Sequence, residues 1–361
     1  MRLASTKSLK PGTIVGQAVC SENGTILIQK GLGLNKQMIN RLAQQGITYI
    51  YIEDELTSGI KIESVISEQA RINATNTIKD TFNEIKQKGL VDRSYILEKK
   101  GAQIETVVEQ LLDEIMNRED ALSLLADVFV TDDYIFQHSL KVTIYSLAIG
   151  SELDLTKKKL VEIGVGSMLH DIGKTFIDPA ILKKPARLTP TEFEEIKRHT
   201  QYGYDFLRRQ TTIPLVVAHC AFQHHERLDG SGYPRGIKSA DIHPYAKVIA
   251  VADVFDAVTS NRSYRDAMLP HVGLEILYAG AVNLFDKDIV EAFKRSVAVY
   301  PNGLSVELND NRIGVIARQH RHLCDRPIVR VIKDVNQQVV PAYEIDLSKC
   351  LSTTIRACFH E

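Results

Sequence analysis

Apolar residues recur at helical spacing through most of residues 120–300, and no alternating run interrupts them. That periodicity predicts helices over 120–130, 133–150 and 156–171, the last ending at His170 and Asp171. Thr189 is followed by Pro190 and, three residues on, by Glu192, which predicts a capping box at a helix start. The helix it opens would carry Glu195 and His199 at i and i+4, on one face. Further helices are predicted from Ile213 to His225 and from Tyr245 to Ser260, the second bringing in Asp253 on its inner face. The stretch reads as an α bundle.

The flanks have other textures. In residues 1–60, Ile14-Val15, Thr25 to Ile28 and Ile47 to Ile52 are rich in β-branched residues and read as strands. Asn35 would cap a short helix whose apolar face is Met38, Ile39, Leu42 and Ala43, with Gly46 ending it. Residues 61–88 and 101–116 read as helices, joined over 89–93. They carry no sustained heptad, so they could lie on the bundle or form a homodimer with a second copy. After Pro301, Val306 to Leu308, Arg312 to Ala317, Pro327 to Ile332 and Val339 to Ile345 read as short strands between Asn/Asp turns, as in a small antiparallel barrel or meander. The fold class is mainly α. The expected division is a small α/β module (1–60), a helical connector (61–119), a helical domain (120–300) and a small β module (301–361).

Composition narrows the function. A chain of 361 residues can form two or three domains, and 44% hydrophobic with 25% charged residues is ordinary for a water-soluble protein. A net charge of −1 offers no global attraction to polymeric nucleic acid or to a membrane, so any phosphate binding must come from local clusters. Cys20, Cys220, Cys324, Cys350 and Cys358 form no CxxC pair, which fits a reduced cytoplasmic setting. The N-terminus has no apolar signal-like core, and no run approaches the ~18 residues of a membrane span.

The candidate chemistry is concentrated between His170 and Pro234. This stretch opens with His170-Asp171-Ile172-Gly173-Lys174, continues to His199, and closes with the run from His224-His225-Glu226 through Asp229-Gly230 to Gly232-Tyr233-Pro234. Adjacent His-Asp and His-His pairs are costly to bury without partners. Neutral imidazoles and a carboxylate suit a divalent metal, and one carboxylate has two oxygens with which to bridge two ions. The candidate ligands within this stretch are His170, Asp171, His199, His224 and His225. His219, five residues before His224, and His243, just before Pro244, are read as structural.

The ordered set HDIGK, a following His, HHE-x-x-DG-x-GYP and Val251-Ala252-Asp253 resembles the HD-GYP phosphodiesterases, a branch of the HD phosphohydrolases, over about residues 120–300. The resemblance implies an HD-type helical bundle that hydrolyses cyclic di-GMP to linear pGpG, or on to GMP, through a hydroxide activated by two metals. Asp171 would bridge the ions. His138, His170 and Asp253 would complete one shell, and His199, His224 and His225 the other. Iron or manganese is the expected metal, with zinc, nickel and cobalt as alternatives. Lys174, Arg262 and Arg265 would meet phosphate, Tyr233 would touch the site from its closing loop, and Glu226 and Asp229 would hold ligand histidines. Two departures stand out. Tyr134 occupies the place of a Glu that serves a third ion in trinuclear members, and Lys141 stands where Arg is usual. The rival readings are a phosphodiesterase for mixed cyclic GMP-AMP and a cyclic di-GMP receptor without turnover.

Overall fold

The computed structural model describes residues 1–21, 26–45, 47, 49–62, 65–87, 93–117, 129–130, 134–182, 184, 186–260, 268, 270–320 and 323–359. They fall into two compact units, one of residues 1–65, 119–133 and 295–361, the other of residues 66–118 and 134–294.

The first unit holds β1 (Arg2–Ser5), β2 (Val19–Ser21), β3 (Ile26–Ile28), α1 (Lys36–Gln44), β4 (Tyr49–Ile52), β5 (Phe129–Val130), β6 (Ser305–Leu308), β7 (Ile313–Arg318), β8 (Ile328–Lys333), β9 (Val339–Asp346) and β10 (Ile355–Phe359). β1 pairs antiparallel with β4, and β2 pairs antiparallel with β3 and parallel with β5. The later strands form a five-stranded antiparallel sheet in the order β10-β6-β7-β8-β9, a meander whose last strand returns to the edge of β6. The Asn35 side chain caps α1 by accepting from the Met38 amide at 2.9 Å, while Gly46 lies outside the described residues. Ile14 and Val15 make single bridges, to Gly33 and Ile52, in place of the expected strand. Residues from both ends of the chain meet here. The Leu3 amide donates to the Gly303 carbonyl at 2.8 Å, and Ile60 packs with Val315 and Ala317.

Of the helix expected over 120–130, residues 120–128 lie outside the described residues. Phe129 and Val130 are strand, because the ladder with Cys20 and Ser21 satisfies backbone groups that an isolated turn would leave unpaired.

The second unit is helical: α2 (Glu68–Gln87), α3 (Arg93–Met116), α4 (Tyr134–Glu152), α5 (Lys157–Leu169), α6 (Pro179–Leu182), α7 (Pro190–Lys197), α8 (His199–Leu207), α9 (Leu215–Gln223), α10 (Pro244–Thr259), α11 (Pro270–Gly280) and α12 (Lys287–Ser296). α5 is buried along nearly its whole length from Leu160 to Leu169 and packs on α3, α4, α9 and α10. A helix apolar on all sides belongs at the centre of such a bundle. α2 and α3 pack on each other and on α4, which places Ile78, Phe82, Ile104, Val108 and Leu111 in the interior. α3 starts eight residues before Gly101, since buried Ile96 and Leu97 carry the apolar face across that glycine.

α2 likewise starts at Glu68, later than the expected residue 61, and two further boundaries differ at candidate ligands. Thr189 and Glu192 form the capping box, but α7 stops at Lys197, and His199 opens α8 instead of continuing the helix of Glu195. Glu195 turns to Arg198 and Tyr202. α9 starts after Pro214, a residue that disfavours helix before itself, and ends so that His224 is its cap and His225 lies beyond.

Candidate metal centre

Five helices converge on the site. α4 supplies His138, the end of α5 His170 and Asp171, the first residue of α8 His199, the end of α9 His224 and His225, and α10 Asp253. All except the half-buried His225 are buried. Their approach depends on backbone packing at Gly173, where a Cβ would stand 1.9 Å from the His199 carbonyl oxygen and 2.6 Å from the Gly203 nitrogen. Only glycine allows α8 to lie that close to the Asp171 turn.

The side chains gather into two groups, His138 with His170 and Asp171, and His199 with His224 and His225; within each group the ligand atoms lie within 4.8 Å of one another. Asp171 faces both. Its Oδ2 is 3.6 Å from His138 Nε2 and 3.5 Å from His170 Nε2, while its Oδ1 is 3.4 Å from His199 Nε2 and 3.9 Å from His224 Nε2. Asp253 also reaches both groups, with Oδ1 at 3.1 Å from His138 Nε2 and Oδ2 at 3.5 Å from His225 Nδ1.

The electrostatics suit metal ligation. Burial pushes the imidazoles of His170, His224 and His225 down and brings His199 to about 4, so all four are neutral donors. Burial opposes the charge of Asp171 as well, but Lys174 and the surrounding imidazoles override it and hold the carboxyl well below the usual range. In His138, burial is outweighed by hydrogen bonds to Asp253 and Asp256, and its pKa rises to about 9. His170 Nε2 and Asp171 Oδ1 are buried without a hydrogen-bond partner. Four neutral imidazoles, His138 once an ion displaces its Nε2 proton, and ionised oxygens make a donor set that fits divalent transition ions, with His170 Nε2 and Asp171 Oδ1 left unsatisfied. Supplying such an ion to metal-stripped protein should therefore raise its thermal midpoint. At a free ion concentration of 100 times Kd, the gain is about 2.7 kcal/mol. A midpoint indifferent to metal would count against this donor set.

The other candidate residues take varied places. Lys174 lies on a 3-10 turn after α5, and its Nζ donates to Asp171 Oδ2 at 2.5 Å. The Tyr233 ring stands 4.6 Å from that of His225; burial first, then Asp253 and Asp171, push its phenol upward. Glu226 and Asp229 do not hold the histidines. Glu226 accepts from the Arg235 and Ile237 amides at 2.9 and 3.2 Å, and Asp229 accepts from Ser231, so both carboxylates staple the closing loop. That loop packs tightly on the ligand segment, since a Cβ on Gly232 would meet the Arg227 nitrogen at 2.4 Å. Arg262 and Arg265 lie outside the described residues, as does the Tyr134 side chain.

His243 caps α10, its Nδ1 accepting from the Tyr245 amide at 3.2 Å, and His219 packs on Tyr204. The sequence reading missed Asp256, which is buried and bonded to His138 Nδ1 at 2.7 Å. Its signal was the i, i+3 spacing from Asp253, which puts both carboxylates on one face of α10.

Known proteins resemble this chain over the region that carries the site. The HD domain family model matches residues 118–289. A cyclic di-GMP phosphodiesterase of Pseudomonas aeruginosa is 32% identical over 253 residues, which is 70% of this chain and 61% of that protein. One of Thermotoga maritima is 36% identical over 207 residues, 57% of this chain and 55% of that protein. A 3'3'-cGAMP-specific phosphodiesterase of Vibrio cholerae is 32% identical over 169 residues, 47% of this chain and 36% of that protein. The chain thus spans less than two thirds of the length of each. With its buried His-Asp pair, its later histidines and its Gly232-Tyr233-Pro234 loop, the chain is similar to the HD domain family over residues 118–289 and to proteins named cyclic di-GMP phosphodiesterases over a longer stretch.

Proposed function

We propose that this chain is a metal-dependent phosphodiesterase that opens cyclic di-GMP to linear pGpG. The observation that carries the reading is Asp171, whose two oxygens face two separate histidine groups. Names of relatives at 32% and 36% identity supply the substrate class. His138, His170 and Asp253 would hold one ion, His199, His224 and His225 a second, with Asp171 shared. Iron or manganese suits this mixture of nitrogen and oxygen donors. Divalent ions in that setting supply Lewis acidity, activating water and offsetting phosphate charge. Two ions are proposed, because Tyr134 stands where a third would need a carboxylate.

The chain's own residues do the rest. Lys174, already poised on Asp171, would meet the phosphate as charge develops there. Arg262 and Arg265 would bind the phosphates from outside the described residues, and Tyr233 would border the site beside His225. Lys174→Ala should lower kcat/KM by about 3 kcal/mol, the usual effect of removing one such donor. Unchanged metal content in that variant assigns the loss to phosphate; lost metal would return Lys174 to a role on Asp171.

The proposed setting is the cytoplasm, where thiols such as the free Cys220, Cys324, Cys350 and Cys358 stay reduced. Among the described residues no helix is long and apolar enough to cross a membrane. A homodimer through residues 61–119 would have to use the outer faces of α2 and α3, whose buried apolar residues already pack within the unit. Residues 120–300 are proposed as the catalytic domain.

The test is turnover of purified protein, loaded with reduced iron or manganese, on cyclic di-GMP and on 3'3'-cGAMP. The expected result is pGpG over many turnovers. The Vibrio cholerae relative favours a second reading, and preference for the mixed dinucleotide would establish it. Tight binding without turnover across iron, manganese, zinc, nickel and cobalt would make the chain a receptor.

A further inference from the structure

We propose that Lys141, Asp256 and Ser260 form a positioning network that presents Nε2 of His138 to a divalent ion; the inference rests on the metal centre proposed above. His138 differs from its neighbours in how its other nitrogen is held. Nδ1 of His170 bonds the Ser167 carbonyl at 2.7 Å, that of His199 the Ile196 carbonyl at 2.6 Å, and that of His224 the Cys220 carbonyl at 3.1 Å. Each of these rings is oriented by the backbone of its own preceding turn. His138 Nδ1 instead meets a side chain from another helix, Asp256 Oδ2 at 2.7 Å. Its orientation therefore depends also on a side chain that can be replaced singly.

Asp256 is itself fully engaged. Its Oδ1 accepts from Ser260 Oγ at 2.8 Å and lies 3.8 Å from Lys141 Nζ, and Lys141 also donates to Ser260 Oγ at 3.2 Å. With one oxygen on His138 and the other on Ser260 and Lys141, Asp256 has no oxygen turned to the metal groups. The opposite edge of the ring faces them, with Nε2 3.1 Å from Asp253 and 3.6 Å from Asp171. Once an ion displaces the Nε2 proton, a carboxylate that accepts Nδ1–H keeps the tautomer in which Nε2 carries the lone pair, and it raises the ligand strength of that nitrogen. Lys141 balances the buried charge of Asp256. The network also ends at Ser260, just ahead of the segment that carries Arg262 and Arg265.

The experiment is stepwise titration of metal-stripped, full-length chain with Zn²⁺, in wild type and in Asp256→Asn, Lys141→Met and Lys141→Arg. ¹⁵N NMR of the zinc-loaded histidines supplies a second readout. Wild type should bind in two steps, with His138 protonated at Nδ1. Asp256→Asn should weaken one step by roughly 10–100-fold, leave the other unchanged and shift the His138 nitrogen signals. Lys141→Met should act in the same direction and Lys141→Arg should restore binding, because it keeps the charge. Both steps unchanged, or both weakened alike as in general loosening of the fold, would overturn the proposal. So would a wild-type His138 without its Nδ1 proton. No turnover is measured, so a chain that behaves as expected here yet hydrolyses no cyclic dinucleotide would keep the network and lose the proposed substrate.

Discussion

Asp171→Ala should abolish phosphodiesterase turnover and strip metal from both histidine groups, while the helical circular dichroism of the chain stays near wild type. The carboxylate faces four candidate histidines, two in each group, with one oxygen 3.5–3.6 Å from His138 and His170 and the other 3.4–3.9 Å from His199 and His224. A residue that only supports a ligand costs roughly 10–100-fold in metal affinity when it is lost. A shared ligand should cost more, and at two ions together. The fold should survive, because α5 is held by apolar packing along Leu160 to Leu169 and not by its terminal charge. Metal analysis and circular dichroism on one sample decide the matter. Two retained ions, or one lost and one intact, would refute the bridging role.

Gly173→Ala carries the second large expected effect, though it removes no functional group. The added methyl would lie 1.9 Å from the His199 carbonyl oxygen, 2.6 Å from the Gly203 nitrogen and 2.8 Å from the His199 carbonyl carbon. All three are backbone atoms, so no side-chain rotation relieves the overlap and α8 must shift as a body. Overpacking of this kind costs about 1–3 kcal/mol, and more where backbone must yield. Because His199 is the first residue of α8, the shift would also move its Nε2 away from His224 and Asp171. The variant should therefore unfold at a lower temperature and lose metal from the His199 group before the His138 group. A wild-type midpoint with full metal content would mean that α8 can move aside freely, and the packing argument would fail.

Much of this site is legible in the amino-acid order alone, for a physical reason. Metal chemistry demands particular side chains, so His170-Asp171 and His224-His225 announce themselves in one dimension, and the capping box at Thr189 and Glu192 is equally local. What escaped depends on contacts distant in sequence. β1 and β10 are short strands that exist because β4 and β6 offer them an edge. Arg198 at the break keeps αR backbone angles and leaves the apolar spacing of α7 and α8 almost continuous. Glu226 lies beside two candidate ligands and yet serves amides nine and eleven residues away, a partnership set by the path of the loop. Asp256 falls between these cases. Its helical spacing from Asp253 is visible in the sequence, but its partner His138 is 118 residues away.

The braid of the first unit from residues 1–65 and 295–361 has a consequence for biosynthesis. A ribosome makes the chain from its N-terminus, so residues 1–65 emerge well before the strands that complete them. Leu3 must wait for Gly303, and Ile60 for Val315 and Ala317, while about 230 residues, most of them of the helical unit, are translated in between. At the commonest elongation rates of about 5–20 residues per second, that delay is on the order of 10–50 seconds. The helical unit is therefore complete in the growing chain before the strands from Ser305 to Phe359 are made, whereas the first unit is completed last.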